Sequence, residues 1–196
     1  MTTGILLFDD AEELDWAGPW EVLAAAARSF FPEDRVVAIA EHDRPIRCAK
    51  GLRVLPDHDF ASAPPLDVIL VPGGQGTRRE VSNRVLIEWL RKTGERCQWV
   101  TSVCTGALLL HEAGFARGRR VTTHWAFVET LRARGDVTVL ERTRYVRDGN
   151  VVTAAGISAG IDMALWLVGQ LHGVDAARKL QRAIEYEPAP PYTADV

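Results

Sequence analysis

The chain has 196 residues, 47% hydrophobic and 25% charged, enough for one domain that buries its core without disulfide or metal support. A net charge of −3 argues against a nucleic-acid partner, and three widely spaced cysteines argue against a disulfide framework. Five scattered histidines give no metal site, and no apolar run approaches the ~20 residues of a membrane span.

Residues 4–8 form a continuous apolar run, the pattern of a strand buried on both faces. Pro19 suits the first turn of a helix reaching Ser29, so Asp15 and Gly18 are expected in the loop before it. Residues 35–40 read as the next strand, and Arg47-Cys48 with Arg53-Val54-Leu55 as a small hairpin around Gly51. A third buried strand, 67–71, stops at Pro72-Gly73-Gly74. The helix after it is expected to bury Val81, Val85, Trp89 and Leu90, with either Thr77 and Glu80 or Asn83 as its cap.

Residues 98–103 form a strand and 105–113 a helix closed by Gly114. Arg117, Arg119 and Arg120 lie in a glycine-flanked turn before a strand at 121–123, and a helix spans 125–133. Short strands follow at 137–140, 143–146 and 151–154, around the turn dipeptide Asp148-Gly149. Ser158 is expected to cap a buried helix that is apolar nearly all round, a last helix follows Gly173 to about residue 184, and Pro188, Pro190 and Pro191 make an extended tail. Alternating strands and helices predict a mainly parallel sheet covered on both sides, with reactive groups at the carboxyl ends of its strands.

Ser102-Val103-Cys104-Thr105-Gly106 carries the strongest chemical signal. Small residues flank a cysteine on a tight strand-to-helix turn, where a crowded backbone needs that room. The helix N-terminus behind the sulfur favours thiolate, the reactive form. Cys48 and Cys97 lack such a setting and are read as structural. Pro72-Gly73-Gly74 leaves backbone amides free for an oxyanion. Asp15 is a candidate general acid, although a loop aspartate is more often solvated or capping. His124, at a strand-to-helix junction, reads first as a cap or packing residue.

Taken together, Asp15-Trp16-Ala17-Gly18-Pro19, Val71-Pro72-Gly73-Gly74, Val103-Cys104-Thr105-Gly106, Val121-Thr122-Thr123-His124 and Ala155-Gly156-Ile157-Ser158 resemble the ThiJ/PfpI superfamily. The resemblance covers nearly the whole chain and implies one domain over residues 1–196, a flavodoxin-like three-layer α/β sandwich. It maps the reactive cysteine to Cys104, the early acid to Asp15 (glutamate in many relatives) and the oxyanion site to amides near Gly73, Gly74 and Thr105. A histidine twenty residues after the cysteine maps to His124. Thr105 stands where protease-type members carry histidine, and a late His-x-Glu pair is missing, so peptide or glutamine hydrolysis is not expected.

The combination of Asp15, Cys104-Thr105, Gly156-Ile157-Ser158 and the tail from Glu185 to Pro191 looks most like the isocyanide hydratase branch. That resemblance implies a cofactor-free hydratase, with Cys104 as nucleophile, Asp15 as proton donor and Thr105 hydrogen-bonding the acid or water. Ile157 would close the pocket, and Trp16 and Trp125 would be its apolar walls. It also implies a homodimer acting on a small-molecule substrate, without nucleic acid or membrane. The start, Met1-Thr2-Thr3-Gly4, runs into an apolar strand without a basic leader, so a cytoplasmic location is expected. Three alternatives use the same residues: a deglycase or glyoxalase, a redox sensor oxidised at Cys104, and a stand-alone small-molecule sensor. The last resembles the effector domain of AraC-type regulators, for whose helix-turn-helix the 196 residues leave no room.

Overall fold

A computed structural model describes residues 1–189, so Pro190 and Pro191 of the expected tail lie outside the described residues. In chain order it begins with β1 (Thr2–Leu6), α1 (Glu13–Ser29), β2 (Arg35–Ala40), a hairpin of β3 (Ile46–Arg47) and β4 (Arg53–Val54), and β5 (His58–Asp59). β6 (Val68–Val71), α2 (Thr77–Glu80), α3 (Arg84–Gly94), β7 (Trp99–Val103), α4 (Gly106–Glu112) and β8 (Arg120–Val121) follow. A short 3-10 turn (Trp125–Phe127) leads to α5 (Val128–Arg132), β9 (Thr138–Val139), β10 (Tyr145–Asp148), β11 (Val151–Ala154), α6 (Ala159–His172) and α7 (Val174–Ala183).

The main sheet has seven strands in the order β10-β11-β7-β6-β1-β2-β5, all parallel except the β10–β11 pair. Helices α1, α6 and α7 pack on one another, and α3 and α4 pack against β6 and β7, giving the expected layered α/β architecture. Ile5, Leu6, Ile69, Leu70, Val100 and Val103 are wholly buried, as strands covered on both faces require. From β1 the chain moves one way to β2 and then back across to β6. That reversal opens a crevice at the carboxyl ends of β1, β6, β7 and β11, where small molecules bind in sheets of this kind.

Three expectations need correction, and one open choice, the cap of α3, falls to Asn83. α1 begins at Glu13, so Asp15 sits in its first turn and Pro19 in its interior. Proline there removes one N–H, the donor to the Asp15 carbonyl. The helix accepts that loss because Pro19 packs against α6, where a Cβ on Gly160 would lie 3.0 Å from the proline ring. Val85 is 58% exposed; Leu86 and Leu90 form the buried stripe of α3, one position round the helix. Asn83 is the cap, accepting from the Val85 and Leu86 amides, while Thr77 and Glu80 bound a separate short helix. Ser158 occupies the N-cap position of α6 without capping it; its hydroxyl accepts from Arg144 at 3.1 Å.

Candidate active site

Cys104 follows the last residue of β7 with φ 58°, a left-handed conformation that costs a side-chain-bearing residue about 1–3 kcal/mol. Two bonds hold it there. Its N–H donates to the Ala154 carbonyl at 3.0 Å, and its carbonyl accepts from the Thr123 hydroxyl at 2.8 Å. The turn closes only because the neighbouring residues lack Cβ atoms. One on Gly106 would meet the Val71 carbonyl oxygen at 2.2 Å, and one on Gly73 would meet the Thr105 nitrogen at 2.5 Å and the Cys104 Cβ at 2.8 Å. Gly106→Ala should therefore destabilise the fold by about 1–3 kcal/mol, the usual cost of overpacking. Calorimetry should show a melting temperature lower by about 2–4 °C per kcal/mol.

Asp15 reaches the same point from α1 and is completely buried. Its Oδ2 accepts from the Gly73 amide at 2.9 Å, whereas its Oδ1 is buried with no hydrogen-bond partner among the described residues. Burial raises its pKa to about 7; the Gly73 hydrogen bond opposes the shift and the Glu12 charge adds to it. The Cys104 thiol is its side-chain neighbour. Burial pushes the thiol well above its ordinary value, the Asp15 charge pushes it further, and the Thr105 N–H pulls it back. The expectation of a thiolate favoured by the helix end is thus overridden by desolvation from a site that is 6% exposed. Between them the two groups hold one proton near neutrality, and the thiolate form exists when that proton sits on Asp15.

The oxyanion amides differ from expectation. The Gly73 N–H is taken by Asp15 and the Gly74 N–H by Thr105 Oγ1 at 3.0 Å. The Thr105 N–H, which acts on the Cys104 sulfur, is the donor beside the reacting atom. The Thr105 hydroxyl lies within hydrogen-bond distance of Gly74 and Thr77 rather than of Asp15.

A cleft of about 890 Å3 opens beside the elbow, bounded by Thr123, His124, Trp125, Arg142, Gly156 and Ile157. Gly156 stands between it and the sulfur: a Cβ there would lie 3.5 Å from Cys104 Sγ and 3.0 Å from the His124 ring. Ile157 and His124 therefore stand on the cleft, as expected, and His124 also accepts from the Ala126 amide at 3.3 Å. Trp125, 82% exposed, forms an aromatic wall. Trp16 does not match its expected role: it is buried, and its indole nitrogen has no hydrogen-bond partner among the described residues. Cys97 is buried against the Leu66 and Thr93 carbonyls, as a structural cysteine should be. Sequence reasoning missed Thr123, Ala154 and Arg78, since the main-chain bond of Cys104 and the clamp on Thr105 both come from partners distant in sequence.

Known proteins share this fold. The DJ-1/PfpI family model matches residues 2–170. The chain belongs to the DJ-1/PfpI family. It is 41% identical over 189 residues to the isonitrile hydratase of Pseudomonas putida, covering 96% of this chain and 80% of that protein. The regulator GbdR of Pseudomonas aeruginosa is 27% identical over 185 residues, which span 94% of this chain and half of the regulator. Among solved structures, a ThiJ/PfpI family protein from Pseudomonas syringae superposes with a TM-score of 0.91 at 29% identity, over 100% of this chain and 78% of that one.

Proposed function

We propose that this DJ-1/PfpI protein hydrates isonitriles to N-substituted formamides through a covalent thioimidate on Cys104. The observation that carries the reading is the buried pair itself: a strained cysteine beside a fully buried aspartate whose pKa lies near 7 and whose second oxygen has no partner among the described residues. Similarity to an isonitrile hydratase supports the choice of substrate.

An isonitrile carbon is electrophilic and becomes basic once attacked, so it needs a nucleophile and a proton at one place. With the proton on Asp15, the Cys104 thiolate forms the C–S bond and Asp15 delivers that proton to the same carbon, giving the thioimidate. Water then adds to the C=N carbon. One of its protons goes to nitrogen by way of the Asp15 carboxylate. Collapse of the adduct breaks the C–S bond and forms the formyl C=O, and the hydroxyl proton returns to Asp15. The Thr105 N–H stabilises the sulfur as it departs, and Trp125 and Ile157 pack against the organic substituent. The reading includes no cofactor; it places the protein as a homodimer in the cytoplasm, and sedimentation tests the dimer.

The pH dependence follows from the pair. Below about 7 the pair takes up a second proton and the thiolate form is lost. Turnover as kcat/KM should thus fall about tenfold per pH unit on the acid side and level off above neutrality. A profile flat from pH 5 to 8 would count against the proton-sharing pair.

A second reading, a small-molecule sensor, is favoured by the likeness to GbdR over nearly the whole chain. Calorimetric titration with an aryl isonitrile separates the two: saturable binding without formamide supports the sensor.

A further inference from the structure

Arg144, the residue before β10, brackets the turn that carries one wall of the cleft. Its carbonyl accepts from the Ala155 amide at 2.9 Å, which extends the β10–β11 ladder by one residue. Its guanidinium crosses to the far side of the turn. There Nη1 donates to Ser158 Oγ at 3.1 Å, Nε donates to Asp162 Oδ2 at 2.6 Å, and Nη2 pairs with the same carboxylate oxygen. One residue thus ties both ends of the 155–158 turn, with Gly156 and Ile157 between them. Both line the cleft, as does Arg144 itself.

The other Asp162 oxygen, Oδ1, accepts from the Tyr186 hydroxyl at 2.9 Å. Tyr186 is placed by the way α7 ends. Glu185 takes a left-handed φ of 51°, its amide donates to the Arg182 carbonyl at 3.2 Å, and the Tyr186 amide donates to the Gln181 carbonyl at 3.0 Å. This pair of bonds closes a helix sharply and fixes the residue that follows. Gln181 Nε2 adds a bond to the Tyr186 carbonyl at 3.1 Å. Burial raises the Tyr186 pKa and the Asp162 hydrogen bond adds to the rise, so the hydroxyl keeps the proton it donates.

The start of β10, the first turn of α6 and the segment after α7 therefore meet on one carboxylate. The ion pair adds little to stability, because the Arg144 side chain is 51% exposed and that of Asp162 26%. What it fixes is geometry. Ser158 stands at the N-cap position of α6 but binds Arg144 instead of the helix amides, so the turn is tied to β10. A Cβ on Gly156 would lie 3.5 Å from Cys104 Sγ, and a small shift of this turn changes the room beside the sulfur.

We infer that Arg144, held by Asp162 and Tyr186, is a specificity-determining positioning residue: it fixes the Gly156-Ile157 wall and thereby the breadth of substrate that can reach Cys104. This rests on Cys104 being the reactive group of this cleft, as in the reading above, and not on its substrate being an isonitrile.

The test compares a slim and a broad thiol reagent, iodoacetamide and N-phenylmaleimide, by the rate at which each modifies Cys104. Peptide mass spectrometry keeps Cys48 and Cys97 out of the reading. Arg144→Met keeps the aliphatic stem and releases the turn. Its N-phenylmaleimide rate should rise about fivefold while its iodoacetamide rate stays within about twofold of native, since Asp15 and Thr105 are untouched. Arg144→Lys, which keeps a charged donor, should fall between Arg144→Met and the native protein. Tyr186→Phe removes a single hydroxyl and should move the ratio of the two rates the same way, by about twofold. With isonitriles, kcat/KM for a doubly ortho-methylated phenyl isonitrile, relative to phenyl isonitrile, should rise about fivefold in Arg144→Met. Simple loss of stability would alter both reagents together. An Arg144→Met ratio equal to or below the native one overturns the inference, whatever the absolute rates. Absence of formamide from the native protein would sink the hydratase reading and leave the two thiol reagents to decide this one.

Discussion

Replacing Cys104 with alanine should abolish formamide formation from a simple aryl isonitrile, by at least about a thousandfold, while the protein stays folded. The size of the effect follows from the chemistry. The attacking sulfur opens the covalent route, and neither of the other two cysteines can replace it, since Cys48 and Cys97 are buried away from the cleft. Stability should change little, because alanine fills the Cβ position and loses only a sulfur held in a strained turn. The left-handed φ remains unfavourable for alanine, so the variant gains nothing from that part of the replacement. Product analysis by NMR, beside circular dichroism of the same samples, checks both halves. A variant that kept native turnover would exclude Cys104 as the nucleophile.

Asp15→Asn carries the second large effect, and it acts in opposite directions on activity and stability. Asparagine is nearly isosteric and its carbonyl can still accept the Gly73 amide, but it has no acidic proton to give to the isonitrile carbon. Formamide turnover should fall by about a hundred- to ten-thousandfold, the range of a lost general acid. Stability should rise at alkaline pH. In the folded chain Asp15 titrates near 7, above the unfolded value near 3.8. The folded state therefore holds the extra proton between those values, and native stability falls as pH climbs through that window. By pH 8 the native protein bears the whole cost of a buried carboxylate, on the order of 4 kcal/mol. The asparagine variant should melt higher than the native protein at pH 8, with the gap closing toward pH 4. Melting curves that ran parallel across this range would mean that Asp15 is not raised by burial. Such an exchange of stability for reactivity is the usual cost of a working site.

The parts of the fold legible in the sequence were those fixed by local chemistry. β2, the Gly51 hairpin and the elbow at Cys104 follow from apolar runs and glycine punctuation, and the structure forms each of them. The start of α1 was misplaced because Pro19 is a strong first-turn signal, whereas here contact with Gly160 of α6 outweighs the missing hydrogen bond. The α3 stripe was shifted because Val85 and Leu86 are both apolar, and only the packing partner decides which one turns inward. At the site, Cys104, Asp15 and the glycine turn could be named from the sequence, and the fold brings them together. How their hydrogen bonds are spent could not. The amides of Gly73 and Gly74 were expected to face the substrate, but Asp15 and Thr105 use them. No sequence pattern marks Arg78, since its three acceptors converge only after α2 folds beside α4.

The covalent intermediate is the central claim, and rapid acid quenching during turnover tests it most directly. The native protein mixed with excess aryl isonitrile should yield a Cys104 peptide heavier by the mass of the whole isonitrile, because addition expels nothing, followed by accumulation of the N-aryl formamide. An unmodified Cys104 peptide at every quench time, with no formamide formed, would contradict the account.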